Sequence, residues 1–191
     1  LAKVINRPLF IEAHRLHPFF ERGTDVDVIL DLMIHDLDII LHFVNSPLKA
    51  IDAVGVSVLS DQVDIANVRL KFATGCVANI TASRVTGKTL QKIRFFGVDG
   101  YHAVDFSKRD LVSLSKKTSD SGKVEIFSNA VEVLQHDPLE AEIRAFVHAV
   151  RTGTPPPVTG RDGRDALELA LAISREMKKA KEDILGALQH E

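Results

Sequence analysis

The apolar residues of this chain change their spacing twice. Between residues 30 and 44 they recur every three or four positions, which is typical of one face of a helix. From residue 49 to residue 129 they alternate with polar residues, as in strands with one buried face, and from residue 138 the helical spacing returns. This order predicts an α+β fold, in which an open, mostly antiparallel sheet of about six strands carries helices on one face. We expect one domain spanning 1–191.

Turn signals divide the alternating region into consecutive hairpins, which favours antiparallel pairing of strands that are neighbours in the chain. Thr24 and Asp27 have the spacing of a capping box before the first helix, and Asn45 follows its last apolar residue. We expect helices over 28–44, 138–153 and 163–188. We expect strands over 7–16, 49–59, 66–72, 76–85, 90–98, 101–106, 110–117 and 123–129, the last two being weak, with turns at 73–75, 99–100 and 118–122.

Composition excludes several classes of partner. The net charge is −2 and no basic block is present, so we expect neither nucleic acid nor an anionic membrane surface as a partner. No apolar run approaches the roughly 20 residues that span a bilayer. The single cysteine, Cys76, cannot form an internal disulfide and suits a reducing compartment. We therefore expect a cytoplasmic protein.

Four ionisable residues interrupt the apolar pattern of the first helix: Asp31, His35, Asp38 and His42. At 100° per residue they fall within a band about 60° wide, which we call the acid–imidazole stripe. A solvated helix face can carry such residues, although it more often carries Lys and Glu. The stripe also suits proton transfer, because carboxylates one turn either side of His35 would orient the ring and raise its basicity.

A metal site is a further interpretation of the same residues. Asp31, His35 and Asp38 could supply two oxygen ligands and one nitrogen ligand. Three ligands on two turns of one helix rarely converge without help from another element, and the chain has no HExxH motif and no cysteine pair. We therefore predict no metal.

Two motifs resemble a known enzyme family. The pattern D-x-x-x-H-D-x-D, from Asp31 to Asp38, follows a strand that ends in EAHRL and precedes a hairpin-rich region. Residues 158–163 read Val-Thr-Gly-Arg-Asp-Gly before the last helix. Together they resemble the C-terminal domain of the Gfo/Idh/MocA oxidoreductases, over essentially the whole sequence. The resemblance implies the fold expected above and a sheet through which subunits form homodimers or homotetramers.

The resemblance also implies an activity, the NAD- or NADP-dependent oxidation of a sugar hydroxyl. His35 would take the hydroxyl proton, and Asp31 would bind a neighbouring hydroxyl or fix the imidazole. Asp38 would contact the substrate. Three segments (8–19, 31–41 and 63–84) resemble more narrowly a subgroup that acts on nucleotide-activated amino sugars.

Three further residues are candidate substrate contacts if the family geometry holds. Arg15 and His17 lie at the end of the first strand and could meet the phosphates of a sugar nucleotide. A surface position at the strand end is the alternative for both. Arg84 ends another strand and could contact substrate or form an ion pair.

One part of the family pattern is missing. The sequence contains neither a G-x-G-x-x-G turn nor the family's Glu-Lys-Pro segment, whose Lys polarises the reacting hydroxyl. We therefore expect NAD or NADP to bind mainly to a dinucleotide-binding domain outside these residues, and the chain to be the C-terminal half of an enzyme, inactive alone. The alternative is a non-catalytic domain that binds a sugar or only assembles. No role is argued for His102, His136, His148 or His190.

Overall fold

The computed structural model describes residues 5, 7–20, 23–98, 100–118, 124–130 and 137–188. In these residues the chain forms one eight-stranded sheet and three helices. The strands are β1 (Phe10–Leu16), β2 (Leu48–Val56), β3 (Ile65–Phe72), β4 (Val77–Ser83), β5 (Leu90–Gly97), β6 (Gly100–Asp105), β7 (Asp110–Thr118) and β8 (Val124–Ala130). The helices are α1, a π-helical turn (Ile29–Met33) continued by an α-helix (Ile34–Val44), α2 (Pro138–Thr152) and α3 (Gly160–Leu188).

The sheet confirms the predicted α+β class. Its strand order is β2-β3-β4-β1-β5-β6-β7-β8, and every neighbouring pair is antiparallel except β1 with β4. The expected count of about six strands was too low. The weakly apolar β7 and β8 pair along their length and extend the sheet, because backbone hydrogen bonds do not depend on an apolar pattern. Asp99 and residues 119–122, which belong to two of the three predicted turns, lie outside the described residues, as does Lys123 at the start of the last predicted strand.

One face of the sheet forms the core with α1 and α3. In β3 the alternation is strict: Val68 and Leu70 are fully buried, whereas Asn67 and Arg69 on the other face are exposed. Each large apolar side chain that is fully buried contributes about 1.5–3 kcal/mol to stability. The largest of these in the core are Phe72, Phe95, Ile11, Ile29, Met33, Leu37, Ile40, Leu70, Ile80, Ile93 and Ile173.

The helices α1 and α3 pack against each other, and α3 also packs on β2. α2 begins with Pro138 and is followed by Gly153 in a left-handed conformation (φ 67°), as its sequence predicts. None of the described helices is both long enough and apolar enough to cross a membrane.

Candidate active site

The side chain of Asp27 fixes the start of α1. Its Oδ1 accepts hydrogen bonds from the backbone N–H groups of Ile29 and Leu30 at 3.1 and 3.0 Å, and its Oδ2 accepts one from the Ser174 hydroxyl of α3 at 2.9 Å. The predicted capping box is therefore wrong in detail, because Thr24 lies in a turn and Asp27 itself is the cap. The cap ties α1 to α3 before the acid–imidazole stripe begins.

All members of the acid–imidazole stripe reach the protein surface. Asp31 and Asp38 are partly buried, whereas His35 and His42 are exposed. The helix is not uniform, since Asp31 lies in the π-helical turn, where each turn holds an additional residue. A π-helical turn of this kind inside an α-helix frequently marks a functional site.

The carboxylate of Asp31 lies against the backbone of the preceding loop. A methyl group placed on the Cα of Gly23 would lie 3.5 Å from Asp31 Oδ1, and Gly23 has a left-handed φ of 79°. Within the part of the chain that the structure describes, no side chain or backbone group donates a hydrogen bond to the carboxylate of Asp31. This carboxylate can therefore accept hydrogen bonds from a ligand.

The C-terminal half of the stripe lines a cleft of about 720 Å³ between α1 and α3. Asp38 and His42 form one wall, and Val158, Asp162 and Asp165 lie on the other. Hydrogen bonds from the hydroxyl and the backbone N–H of Thr159 lower the pKa of Asp162, and the charge of His42 lowers that pKa further. The fold thus brings together the two motifs that carry the family resemblance.

Arg15 makes a buried ion pair beneath the stripe. Its Nε and Nη2 each donate a hydrogen bond of 2.9 Å to the carboxylate of Asp36, whose side chain is 2% exposed. The guanidinium carbon also lies 5.8 Å from the centre of the Phe106 ring. Among the described residues, Arg15 therefore binds groups of its own chain. Its predicted contact with a phosphate group stays a prediction. Sequence reasoning missed Asp36, although an acidic residue at a buried helix position signals a buried cation nearby.

Arg84 is 1% exposed, and its guanidinium meets backbone carbonyl oxygens. Nη1 donates to Gly23 at 2.7 Å, and Nη2 donates to Val26 and Val63 at 2.5 and 3.2 Å. Its Nε lies 3.2 Å from Asp64 Oδ1 in an ion pair, without the alignment of a hydrogen bond. The ion pair with Asp64 corresponds to the second of the two roles predicted for Arg84. A substrate would find almost no accessible surface on this guanidinium, because the fold has enclosed it.

Asp64 is fully buried and holds the loop between β2 and β3. Its Oδ2 accepts hydrogen bonds from the backbone N–H groups of Val58, Leu59 and Ser60 at 2.7, 2.6 and 2.9 Å, and its Oδ1 accepts one from the Ser60 hydroxyl at 2.6 Å. Burial raises the pKa of this carboxyl, but these hydrogen bonds outweigh burial and lower the pKa to about 2. Nothing in its sequence spacing predicted this role.

His17 lies beyond the end of β1, partly buried. Its Nδ1 is 2.6 Å from the carbonyl oxygen of Pro18, and its ring centre is 5.7 Å from that of Phe20, which is 59% exposed. No hydrogen bond, ion pair or ring contact joins His17 to the stripe in the described ranges. His136 and His190 lie outside those ranges.

The described residues contain no group of three or more His, Cys, Asp or Glu side chains arranged to hold a metal ion. They also contain no glycine-rich turn between a strand and a helix that could cradle a pyrophosphate. These residues therefore do not fit a complete dinucleotide, whereas the carboxylates and imidazoles of the stripe can exchange hydrogen bonds with hydroxyl groups.

Comparison with known proteins identifies the family. Residues 5–102 match the GFO/IDH/MocA C-terminal domain. The chain is also 36% identical to UDP-N-acetylglucosamine 3-dehydrogenase of Acidithiobacillus ferrooxidans over 167 residues, which cover 87% of this chain and 53% of that enzyme. This chain belongs to the Gfo/Idh/MocA family. The predicted family is confirmed.

A second relative and a solved structure of the first agree with this assignment. The chain is 31% identical to myo-inositol 2-dehydrogenase of Thermotoga maritima, with 83% of this chain and 50% of that enzyme covered. A solved structure of the Acidithiobacillus ferrooxidans UDP-N-acetylglucosamine 3-dehydrogenase matches with a TM-score of 0.84 at 34% identity, covering 93% of this chain and 56% of that one. The chain spans about half the length of the curated relatives it matches.

Proposed function

We propose that this chain is the substrate-binding and oligomerisation half of an NAD- or NADP-dependent dehydrogenase. The substrate is a sugar or sugar nucleotide, and C3 of UDP-N-acetylglucosamine is the favoured position of oxidation. The observation that carries the proposal is the acid–imidazole stripe: its side chains reach the surface beside a cleft, in a chain that is 36% identical to an enzyme named for that reaction.

The residues of the stripe have distinct roles in this reaction. The exposed imidazole of His35 takes the proton of the hydroxyl group while the carbon loses its hydride, and a carbonyl group forms. The carboxylate of Asp31, which accepts no hydrogen bond from a described group, accepts one from a neighbouring hydroxyl of the substrate or fixes the imidazole. Asp38 binds the substrate from the wall of the cleft. The hydride acceptor, NAD or NADP, binds mainly outside these residues.

We further propose that the exposed face of the sheet forms a homodimer or homotetramer. The face is polar but already ordered, since Glu12 and Arg94 form an ion pair of 2.5 Å across neighbouring strands. Phe10, Phe96 and Tyr101 form a row of ring contacts on the same face, with centre-to-centre distances of 5.5 and 5.1 Å. Aromatic residues among satisfied polar groups are typical of protein–protein interfaces.

The resemblance to the subgroup that acts on nucleotide-activated amino sugars implies a cellular role for the proposed enzyme. Enzymes of that subgroup produce a 3-keto sugar nucleotide, which an aminotransferase then uses in lipid A biosynthesis. Such a role places the protein in the cytoplasm, in accordance with its one free cysteine, which is buried.

The test begins with the mass of the natural gene product and continues with that product as purified. His35→Ala should lower kcat for UDP-N-acetylglucosamine by about 10²–10⁴-fold and leave the Kd for NADH unchanged, because only proton transfer is lost. Asp61→Ala, at an exposed position of the loop between β2 and β3, is the control and should retain kcat. An unchanged kcat in His35→Ala would contradict the assignment. A product of this length that binds the sugar nucleotide without turnover would support the non-catalytic alternative.

A further inference from the structure

Helix α2 has an N-terminal cap and an ion pair between side chains of its own. The carboxylate of Asp137 accepts hydrogen bonds from the backbone N–H groups of Leu139 and Glu140 at 2.8 and 3.4 Å. Arg144 and Glu140 form an ion pair of 2.6 Å, four residues apart. Caps and pairs of this kind stabilise a helix only modestly, and a helix of 15 residues is marginal in water without tertiary packing.

The apolar side of α2 lacks that packing. Of its residues only Ala149 is buried, and α2 packs along no other helix or strand in the described parts of the chain. Five apolar side chains at helical spacing form what we call the α2 apolar face. They are Leu139 (64% exposed), Ile143 (54%), Phe146 (65%), Val147 (45%) and Val150 (68%). A contiguous apolar surface of this kind marks a binding site for another protein surface.

We propose that the nucleotide-binding half of the enzyme docks on the α2 apolar face. This inference rests on the proposed function, which requires such a half. Its first support is length: the matches cover 53% and 50% of the curated relatives, so a comparable length of polypeptide lies outside the match in each. That length is enough for one further domain.

The second support is the position of α2 in the chain. Residues 153–159 connect α2 to α3, and the first turn of α3 carries Asp162, which faces His42 across the cleft. Val158, in this connection, is 63% exposed on the same cleft. A short connection therefore separates α2 from the first turn of α3, and a domain seated on α2 can reach the cleft that the stripe lines. Hydride transfer needs that proximity, because the reacting atoms must approach to about 3–3.5 Å.

The first experiment uses the chain of this sequence and compares Phe146→Asp with Val98→Asp. The two positions are 65% and 66% exposed, so the changes are matched in exposure. Neither variant should shift the midpoint of urea unfolding, because each side chain is largely exposed among the described residues. A lower midpoint for Phe146→Asp alone would overturn the proposal, as would a dimer that Phe146→Asp converts to a monomer in sedimentation. In those cases this chain, or a second copy of it, covers α2.

The second experiment supplies a nucleotide-binding half from a relative. In a chimera, this chain replaces the matched part of the Acidithiobacillus ferrooxidans UDP-N-acetylglucosamine 3-dehydrogenase. Amide hydrogens of residues 139–150 should exchange about 100-fold more slowly in the chimera than in the chain alone. Phe146→Asp should reverse most of that protection, whereas Val98→Asp should not. Equal exchange in the chimera and the chain would overturn docking on α2.

Turnover by the chimera separates this inference from the proposed function. Protection of α2 without oxidation of UDP-N-acetylglucosamine would support docking and count against the proposed reaction. Oxidation of that substrate without protection of α2 would support the reaction and overturn docking.

Discussion

The buried carboxylate of Asp64 should make the stability of this domain depend on pH in the acid range. The hydrogen bonds of the β2–β3 loop lower its pKa from 3.8 to about 2 in the folded state. A lowered pKa means that the folded state favours the charged form, so the stabilisation is complete above pH 4 to 5 and is lost as the pH falls toward 2. At 1.36 kcal/mol per unit of pKa, the loss is about 1 kcal/mol by pH 3 and about 2 kcal/mol by pH 2.

Asp64→Asn isolates this contribution. An amide cannot satisfy the three backbone N–H groups and the hydroxyl that now point at the carboxylate, and it leaves the buried guanidinium of Arg84 without its counter-charge. We expect the free energy of unfolding at pH 7 to fall by about 3–5 kcal/mol. Asp61→Asn, in the same loop but exposed, makes the same change of charge and should alter that free energy by less than about 0.5 kcal/mol.

The assay is urea unfolding followed by circular dichroism between pH 7 and pH 3. The difference in unfolding free energy between the parent protein and Asp64→Asn should shrink by about 1 kcal/mol from pH 5 to pH 3, because only the parent loses the Asp64 carboxylate. For Asp61→Asn the difference should stay constant. Parallel pH dependences of the parent and Asp64→Asn would refute the reasoning.

Three further substitutions test contacts that position α1 and the sheet, each by urea unfolding. Arg15→Leu should lower the unfolding free energy by about 3–5 kcal/mol, since it leaves the carboxyl of Asp36 buried and unpaired; a loss below about 1 kcal/mol would contradict the buried pair. Asp27→Ala should cost about 1–2 kcal/mol through the lost helix cap, and an unchanged midpoint would argue against that cap. Gly100→Ala should destabilise by more than about 1 kcal/mol, because the new Cβ would lie 2.3 Å from the carbonyl oxygen of Leu114; a stable variant would show that β6 and β7 can separate there.

The succession of helices and strands could be predicted because it depends on local spacing. The alternation of exposed Asn67 and Arg69 with buried Val68 and Leu70 is visible in the sequence and reappears as the two faces of β3. The position of β1 could not be predicted in this way. It lies between β4 and β5 and pairs in parallel with β4, and spacing along a strand says nothing about which distant strand becomes its neighbour.

In the candidate site, too, contacts between residues close in sequence could be predicted and contacts between distant residues could not. The acid–imidazole stripe could be found because helical geometry places residues three and four apart on one face. The partners of Arg15 and Arg84 could not be identified, since Asp36 and Asp64 lie about 20 residues away in sequence and meet them only in the folded chain. Sequence gives the charge of such a residue, but burial decides whether that charge binds a ligand or holds the fold together.

The carboxylates around α1 include both kinds: some hold the fold together, and others are free to bind a ligand. Asp27 and Asp36 are bound by Ser174 of α3 and by Arg15 of β1, so they fix the helix from two sides. Asp31 and Asp38 lie on the accessible side of the helix, and no described group donates a hydrogen bond to either carboxylate. A ligand that uses Asp31 and Asp38 therefore meets groups whose positions are already set by buried contacts, which is the arrangement that a preorganised active site requires.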